Sequence, residues 1–280
     1  MKSYEFSQSL GKSKLSYNKY VSLVNMIIND AELEELHLNL EKRTSLLFIQ
    51  YLSYLPIICK SFGKNLAIYA NDKTLYLMQQ RVNSLATGEF CNADISNELL
   101  KNTKIVSTED EILEWVSKIA IEAPVLMDGR LQNIFTTYIG EIFHNCHEHA
   151  SAKYVVGSKY SKRRGKIYTF SIYDTGKGIP ANVRFFQNKN ELDDRSAIEW
   201  ALGAGHSTAK NQDIPRGAGF NLLHSFAENN NGEIRILSGK CLYIYNPKSG
   251  KSFYELKENM VGTLFEMDIV CDPNHKYILK

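Results

Sequence analysis

Apolar residues recur along this chain in two rhythms, and the first hundred residues alternate between them. Val21, Leu23, Val24, Ile27 and Ile28 fall at helical spacing and predict a helix from about Tyr17 to Asn29. Glu35-Leu-His-Leu-Asn-Leu40 alternates polar and apolar residues, as a half-buried strand does. An apolar helix from about Ser45 to Phe62 is expected next, with Gly63 as its C-terminal stop. Asn65–Ala70 predicts another short strand, and Lys73 to Val82 another helix. This alternation predicts a small α/β unit over residues 1–102.

Residues 103–128 read as a helical connector. In it Ser107-Thr-Glu-Asp110 fits a helix start, with the serine capping and the acids at the positive helix end. A long helix is expected from about Leu131 to His149, followed by strands at Tyr154–Gly157 and Lys166–Tyr173. Further strands are expected at Glu233–Leu237, Leu242–Tyr245 and Thr263–Val270. The second domain then spans 129–280, and the fold class is α+β.

Three stretches carry candidate chemistry. On the long helix, residues four apart share a slowly drifting stripe, so Glu141, Asn145 and His149 lie together. A carboxylate one turn from an amide can hold hydrated Mg²⁺ and orient a nucleophile; a solvated polar face is the plainer account. Asp174-Thr-Gly176-Lys-Gly178 follows a strand, where a carboxylate can accept from an exocyclic amine and glycines let a ring lie close to backbone. A simple turn uses the same residues. Gly203-Ala-Gly205-His-Ser207-Thr208 and Arg216-Gly217-Ala-Gly219-Phe supply glycines, the second pair ahead of an apolar, helix-compatible stretch. Free N–H groups there suit phosphates. No G-x-x-x-x-G-K-[ST] occurs and neither pair continues as G-x-G-x-x-G, which argues against a P-loop or Rossmann site.

Composition narrows the classes. With 44% hydrophobic and 23% charged residues the chain reads as a globular protein, and its net charge of +2 gives no global argument for nucleic acid or membrane. Cysteines 59, 91, 146, 241 and 271 form no C-x-x-C pair, which points to a reducing cytoplasm. The N-terminus lacks the apolar run of a signal peptide. His144, Cys146, His147 and His149 invite a zinc reading, but helical geometry makes them diverge. Lys159, Lys162, Arg163, Arg164 and Lys166 read as a solvated hairpin loop, or else as a contact for an acidic partner or nucleic acid.

The order and spacing of the three stretches resemble the GHKL superfamily, which takes in gyrase, heat-shock chaperone, histidine-kinase and mismatch-repair ATPases. Gly232-Glu-Ile-Arg-Ile-Leu-Ser-Gly239 and Gly262-Thr-Leu-Phe-Glu-Met-Asp-Ile269 resemble the last two strands of the histidine-kinase branch. The resemblance covers about residues 125–272. It implies a Bergerat-type sandwich with helices on one face of a mixed sheet, binding ATP with Mg²⁺. Glu141 matches the position of the catalytic base, Asn145 would coordinate Mg²⁺, and Asp174 would hold the adenine amine between Gly176 and Gly178. About Ala181 to Arg216 would form the lid. Gly205, Ser207, Thr208, Lys210, Arg216, Gly217 and Gly219 are placed at the phosphates, and Thr263 also lines the nucleotide. One departure is that the kinase-like G-x-G-L-G runs here as Gly217-Ala-Gly219-Phe220-Asn221. Residues 1–102 resemble, more weakly, STAS-like domains; His37 lacks the surroundings of a phosphorylated kinase histidine.

The expectation is therefore a cytoplasmic ATPase with a regulatory N-terminal domain. Alternatives are a serine/threonine protein kinase of the anti-sigma-factor type and a nucleotide-sensing module with little turnover. A protein partner through the N-terminal domain or lid, and a homodimer, are implied by the resemblance alone.

Overall fold

The computed structural model describes residues 2–41, 44–87, 103–123, 125, 127–148, 150–162, 166–203 and 219–278. The fold is mixed α+β with two sheets, in two compact units. Among the described residues no helix is long and apolar enough to cross a membrane.

The first unit comprises Met1–Ile105 together with Leu256–Met260. Strands β1 (Lys2–Gln8), β2 (Leu33–Leu40) and β3 (Ala67–Ala70) form a parallel sheet in that order. Parallel neighbours need crossovers, supplied by α1 (Lys14–Asn29) and then by α2 (Leu46–Ser53) and α3 (Leu55–Ser61); α4 (Lys73–Thr87) follows β3. Strand β1 was not expected: it lies at the sheet's edge and only Phe6 is buried, so it carries no apolar alternation. The single helix expected over Ser45–Phe62 divides at Tyr54, because Pro56 has no N–H to continue the ladder. Gly63 ends α3 as expected, at φ +66 with Lys64 N–H closing back on the Cys59 carbonyl at 2.9 Å. Tyr17 and Tyr20 of α1 pack ring against ring with Phe48 and Tyr51 of α2.

The second unit comprises Val106–Glu255 and Val261–Lys280. After β4 (Thr103–Ile105) at the end of the first unit, the second unit's strands run β5 (Val155–Lys162), β6 (Ile167–Asp174), β8 (Gly250–Val270), β7 (Glu233–Asn246) across its sheet. The β5–β6 and β6–β8 ladders are antiparallel, where a mixed sheet was expected. Expected strands at Glu233–Leu237 and Leu242–Tyr245 are one strand, and the strand at Thr263–Val270 begins much earlier. Each bends at a glycine, Gly239 (φ +59) or Gly262 (φ +71), instead of ending there.

Helices α5 (Glu109–Glu122), α6 (Gly129–Glu148) and α9 (Gly219–Asn229) pack on one sheet face. Trp115 of α5, Phe135 and Phe143 of α6 and Phe226 of α9 meet Phe170, Phe265 and Ile236 in a single core. The segment read as a connector thus contributes core residues. Its helix is capped by Thr108, not Ser107: the Thr108 hydroxyl accepts from Glu111 N–H while the Glu111 carboxylate accepts from Ser107 and Thr108 N–H. Two further helices, α7 (Ile179–Gln187) and α8 (Asp194–Ala201), occupy the first part of the expected lid. Arg184 of α7 pairs with Asp194 of α8, and Asp194 also accepts from the Lys240 N–H of β7 at 2.6 Å. Residues 179–203 are therefore built into the unit, while 204–218 lie outside the described residues.

Candidate functional site

The C-terminal end of β6 and the C-terminal end of α6 are joined by backbone. The Ala150 N–H closes on the Asn145 carbonyl at 3.1 Å, and the Ala150 carbonyl accepts from Lys177 N–H at 2.9 Å. Thr175 is fixed in turn, its N–H on the Tyr154 carbonyl and its hydroxyl accepting from Tyr154 N–H, both at 3.1 Å. The helix motif and the Asp174–Gly178 bend are thus brought together. Gly176 has to be glycine in this geometry, since a Cβ there would sit 2.4 Å from the Ala150 oxygen. Gly178 turns at φ +81 into α7.

Asp174 is buried, with 2% of its surface exposed. One carboxylate oxygen accepts from Gly176 N–H at 2.7 Å. The Cys146 thiol of α6 and Thr263, its register partner on β8, stand beside the carboxylate and favour its charged form. Burial outweighs these donors and pushes the acid up to about 7. The same burial, with the neighbouring carboxylate, pushes the Cys146 thiol well up. Among the described residues no cation offsets the desolvation of Asp174, so one more hydrogen-bond donor would be favoured there.

Glu141 and Asn145 are half-buried on α6, while Ile142, Phe143 and Cys146 turn into the core. Glu141 stands one turn from Tyr138, whose hydroxyl is held up by burial and by that carboxylate. Among the described residues the Asn145 side chain makes no hydrogen bond, so its amide oxygen fits a ligand to Mg²⁺. His144 reaches Glu109 at 3.4 Å and His147 the Val106 carbonyl at 3.2 Å, so with Cys146 on Asp174 these side chains go three ways. His149 lies outside the described residues.

Gly205, Ser207, Thr208, Lys210, Arg216 and Gly217 also lie outside the described residues, and Gly219 is the first residue of α9. Phe220, at the altered position, rests against Phe265 with ring centroids 5.8 Å apart. Lys159 is not in a solvated loop: it is buried on β5 and pairs with Glu122 at 2.7 Å. Ser238, outside the three sequence motifs, is fully buried on β7. Its hydroxyl accepts from Ile179 N–H at 2.9 Å and lies 2.9 Å from the Thr263 hydroxyl. Its signal was a polar residue interrupting the buried run Ile234–Leu237 just before a glycine. No family model matches the chain, and no curated protein matches it.

Proposed function

We propose that the second unit is a Bergerat-type, GHKL-like domain that binds ATP with Mg²⁺ and hydrolyses it, under the control of the first unit. The observation that carries this reading is Asp174, a buried carboxylate with no cation among the described residues beside it, at a bend that only glycines can form. An exocyclic amine presented there would donate into the carboxylate, and Gly176 and Gly178 let the bend around it close tightly on Ala150, Ser238 and Gly262.

Asn145 would hold Mg²⁺, which would offset the negative charge of the phosphates. Glu141, one turn away on the same stripe, would orient or deprotonate the attacking nucleophile. The glycines from Gly203 to Gly219 would present N–H groups to the phosphates, with α9 beginning at Gly219. Phosphoryl transfer to a protein hydroxyl instead of water uses the same groups, and the change at Phe220-Asn221 keeps a sensing module with little turnover as the third reading. A cytoplasmic location, a protein partner and a homodimer belong to this proposal.

Incubation with γ-labelled ATP, following free phosphate and protein-bound label together, tests all three. Free phosphate lost in Glu141→Ala supports hydrolysis, and label on protein supports transfer. Neither signal, with binding retained, leaves the sensing module.

A further inference from the structure

Three groups converge on the one hydroxyl of Ser238. Ile179 N–H donates to it at 2.9 Å, the Thr263 hydroxyl lies 2.9 Å away and the Gly262 carbonyl 3.2 Å away. Thr263 is the register partner of Asp174 across the β6–β8 ladder, where its hydroxyl is beside that carboxylate. Ser238 and Thr263 each own a single hydroxyl proton, so the chain has two arrangements. In one, Ser238 donates to Thr263 and Thr263 donates to Asp174. In the other, Thr263 donates to Ser238, and Ser238 donates to the Gly262 carbonyl.

The charge of Asp174 chooses between them. An ionised carboxylate only accepts, so it draws the Thr263 proton and selects the first arrangement. From Ile179 N–H to the carboxylate every bond then points the same way, and each polarises the next. A neutral Asp174 needs one donor fewer and releases the second arrangement. The Ser238 oxygen must then take two donors, and the bond from Ile179 weakens. Ile179 is the first residue of α7, so the difference arrives at a helix start.

On the reading that Asp174 receives the nucleotide base, we propose that Ser238 is a positioning residue. Through Thr263 it relays the charge and occupancy of the Asp174 carboxylate to the first amide of α7. The groups facing Asp174 are the Cys146 thiol from α6, the Gly176 N–H of its own bend and Thr263 from β8. At the far end of the chain the nearby charges are Asp194 and Arg184, which pair with each other beside Gly239. Lys177 in the bend is exposed.

Amide ¹H–¹⁵N correlation spectra of the full chain without ligand, recorded from about pH 5 to 9, test the relay. Gly176, bonded directly to the acid, reports its ionisation; Ile179 reports what is relayed. In the wild type both amides should move with one midpoint. Thr263→Val should abolish the Ile179 movement and leave that of Gly176, which also shows the variant is folded. Thr263→Ser should restore both, and Ser238→Ala should behave as Thr263→Val does. A response of Ile179 that survives Thr263→Val overturns the relay, as does an Ile179 that stays still while Gly176 moves. A Gly176 that does not titrate overturns it too, since Asp174 would have no change to send. Saturating Mg-ATP at pH 5.5 should bring Ile179 to its high-pH position. If Mg-ATP perturbs no amide while the pH responses hold, the nucleotide reading fails and the relay stands.

Discussion

Gly262 lies so close to Asp174 that a Cβ on it would sit 1.8 Å from the Asp174 carbonyl oxygen. Its φ of +71 is also one that L side chains rarely adopt. The two residues face each other where β8 bends beside the end of β6, so the strand carrying Thr263 can reach the acid only if residue 262 is glycine. Gly262→Ala should therefore cost more than the backbone term alone, at least about 3 kcal/mol, because the ladder itself must open. Gly63→Ala is the control: φ is +66 there but nothing lies within 4 Å, so about 1 kcal/mol is expected. Urea unfolding of the two variants measures the contrast, and equal costs would show that strain alone matters at 262.

Asp174→Asn should separate function from stability. Burial desolvates the wild-type acid, so replacing it with a neutral amide at pH 8 should stabilise the free protein. The same change removes the acceptor proposed for the base. With Mg-ATP at about 100-fold excess over Kd, the wild type should gain about 2.7 kcal/mol, and the variant should gain nothing. Differential scanning fluorimetry with and without Mg-ATP reads both effects, and an undiminished shift in the variant would remove Asp174 from the nucleotide site.

Nucleotide affinity should also depend on pH. The ligand amine donates to the ionised carboxylate, and the free acid titrates at about 7. Below that pH, binding must first displace a proton, and affinity should drop by up to about tenfold per pH unit. Titration calorimetry from pH 5.5 to 8.5, in buffers of different ionisation enthalpy, should reveal proton release at the acid end. Proton uptake there would contradict the assignment.

Much of this was legible in the chain because strong signals agreed. The long helix over Gly129–Glu148 has apolar residues at helical spacing, and the bend at Asp174–Gly178 is spelled by its glycines. Strand β1 was hidden, since an edge strand that buries only Phe6 leaves no periodic trace. Pro56 was visible, but whether it ends a helix or divides it depends on what packs around it. Cys146 was weighed as a metal ligand. Its partner is fixed by tertiary packing that sequence spacing does not encode: Asp174 arrives on a strand 28 residues later. Ser238 shows the same limit, because its three partners come from α7 and β8.

Asp174 and His224 should pull the pH dependence of stability in opposite directions. Asp174 is raised in the folded protein from 3.8 to about 7, so between those values the folded state holds a proton the unfolded chain has lost. Its contribution is fully present below about 4 and is lost as pH rises to about 7, by about 4 kcal/mol at most. His224 is buried on α9 against Tyr245, with ring centroids 4.5 Å apart, and burial and Lys251 lower its pKa. The unfolded chain therefore binds the proton first as pH falls through about 6.5, and the contribution of His224 is lost toward acid. His147, lowered mainly by burial, acts in the same sense as His224. Between about pH 5 and 7 the opposing slopes partly cancel in the wild type. Asp174→Asn should uncover a loss of stability toward acid, and His224→Phe should steepen the loss toward neutral pH. Urea midpoints of the three proteins at half-unit pH steps give the slopes directly, and an unchanged slope in either variant would show that its group keeps the same charge in folded and unfolded chains.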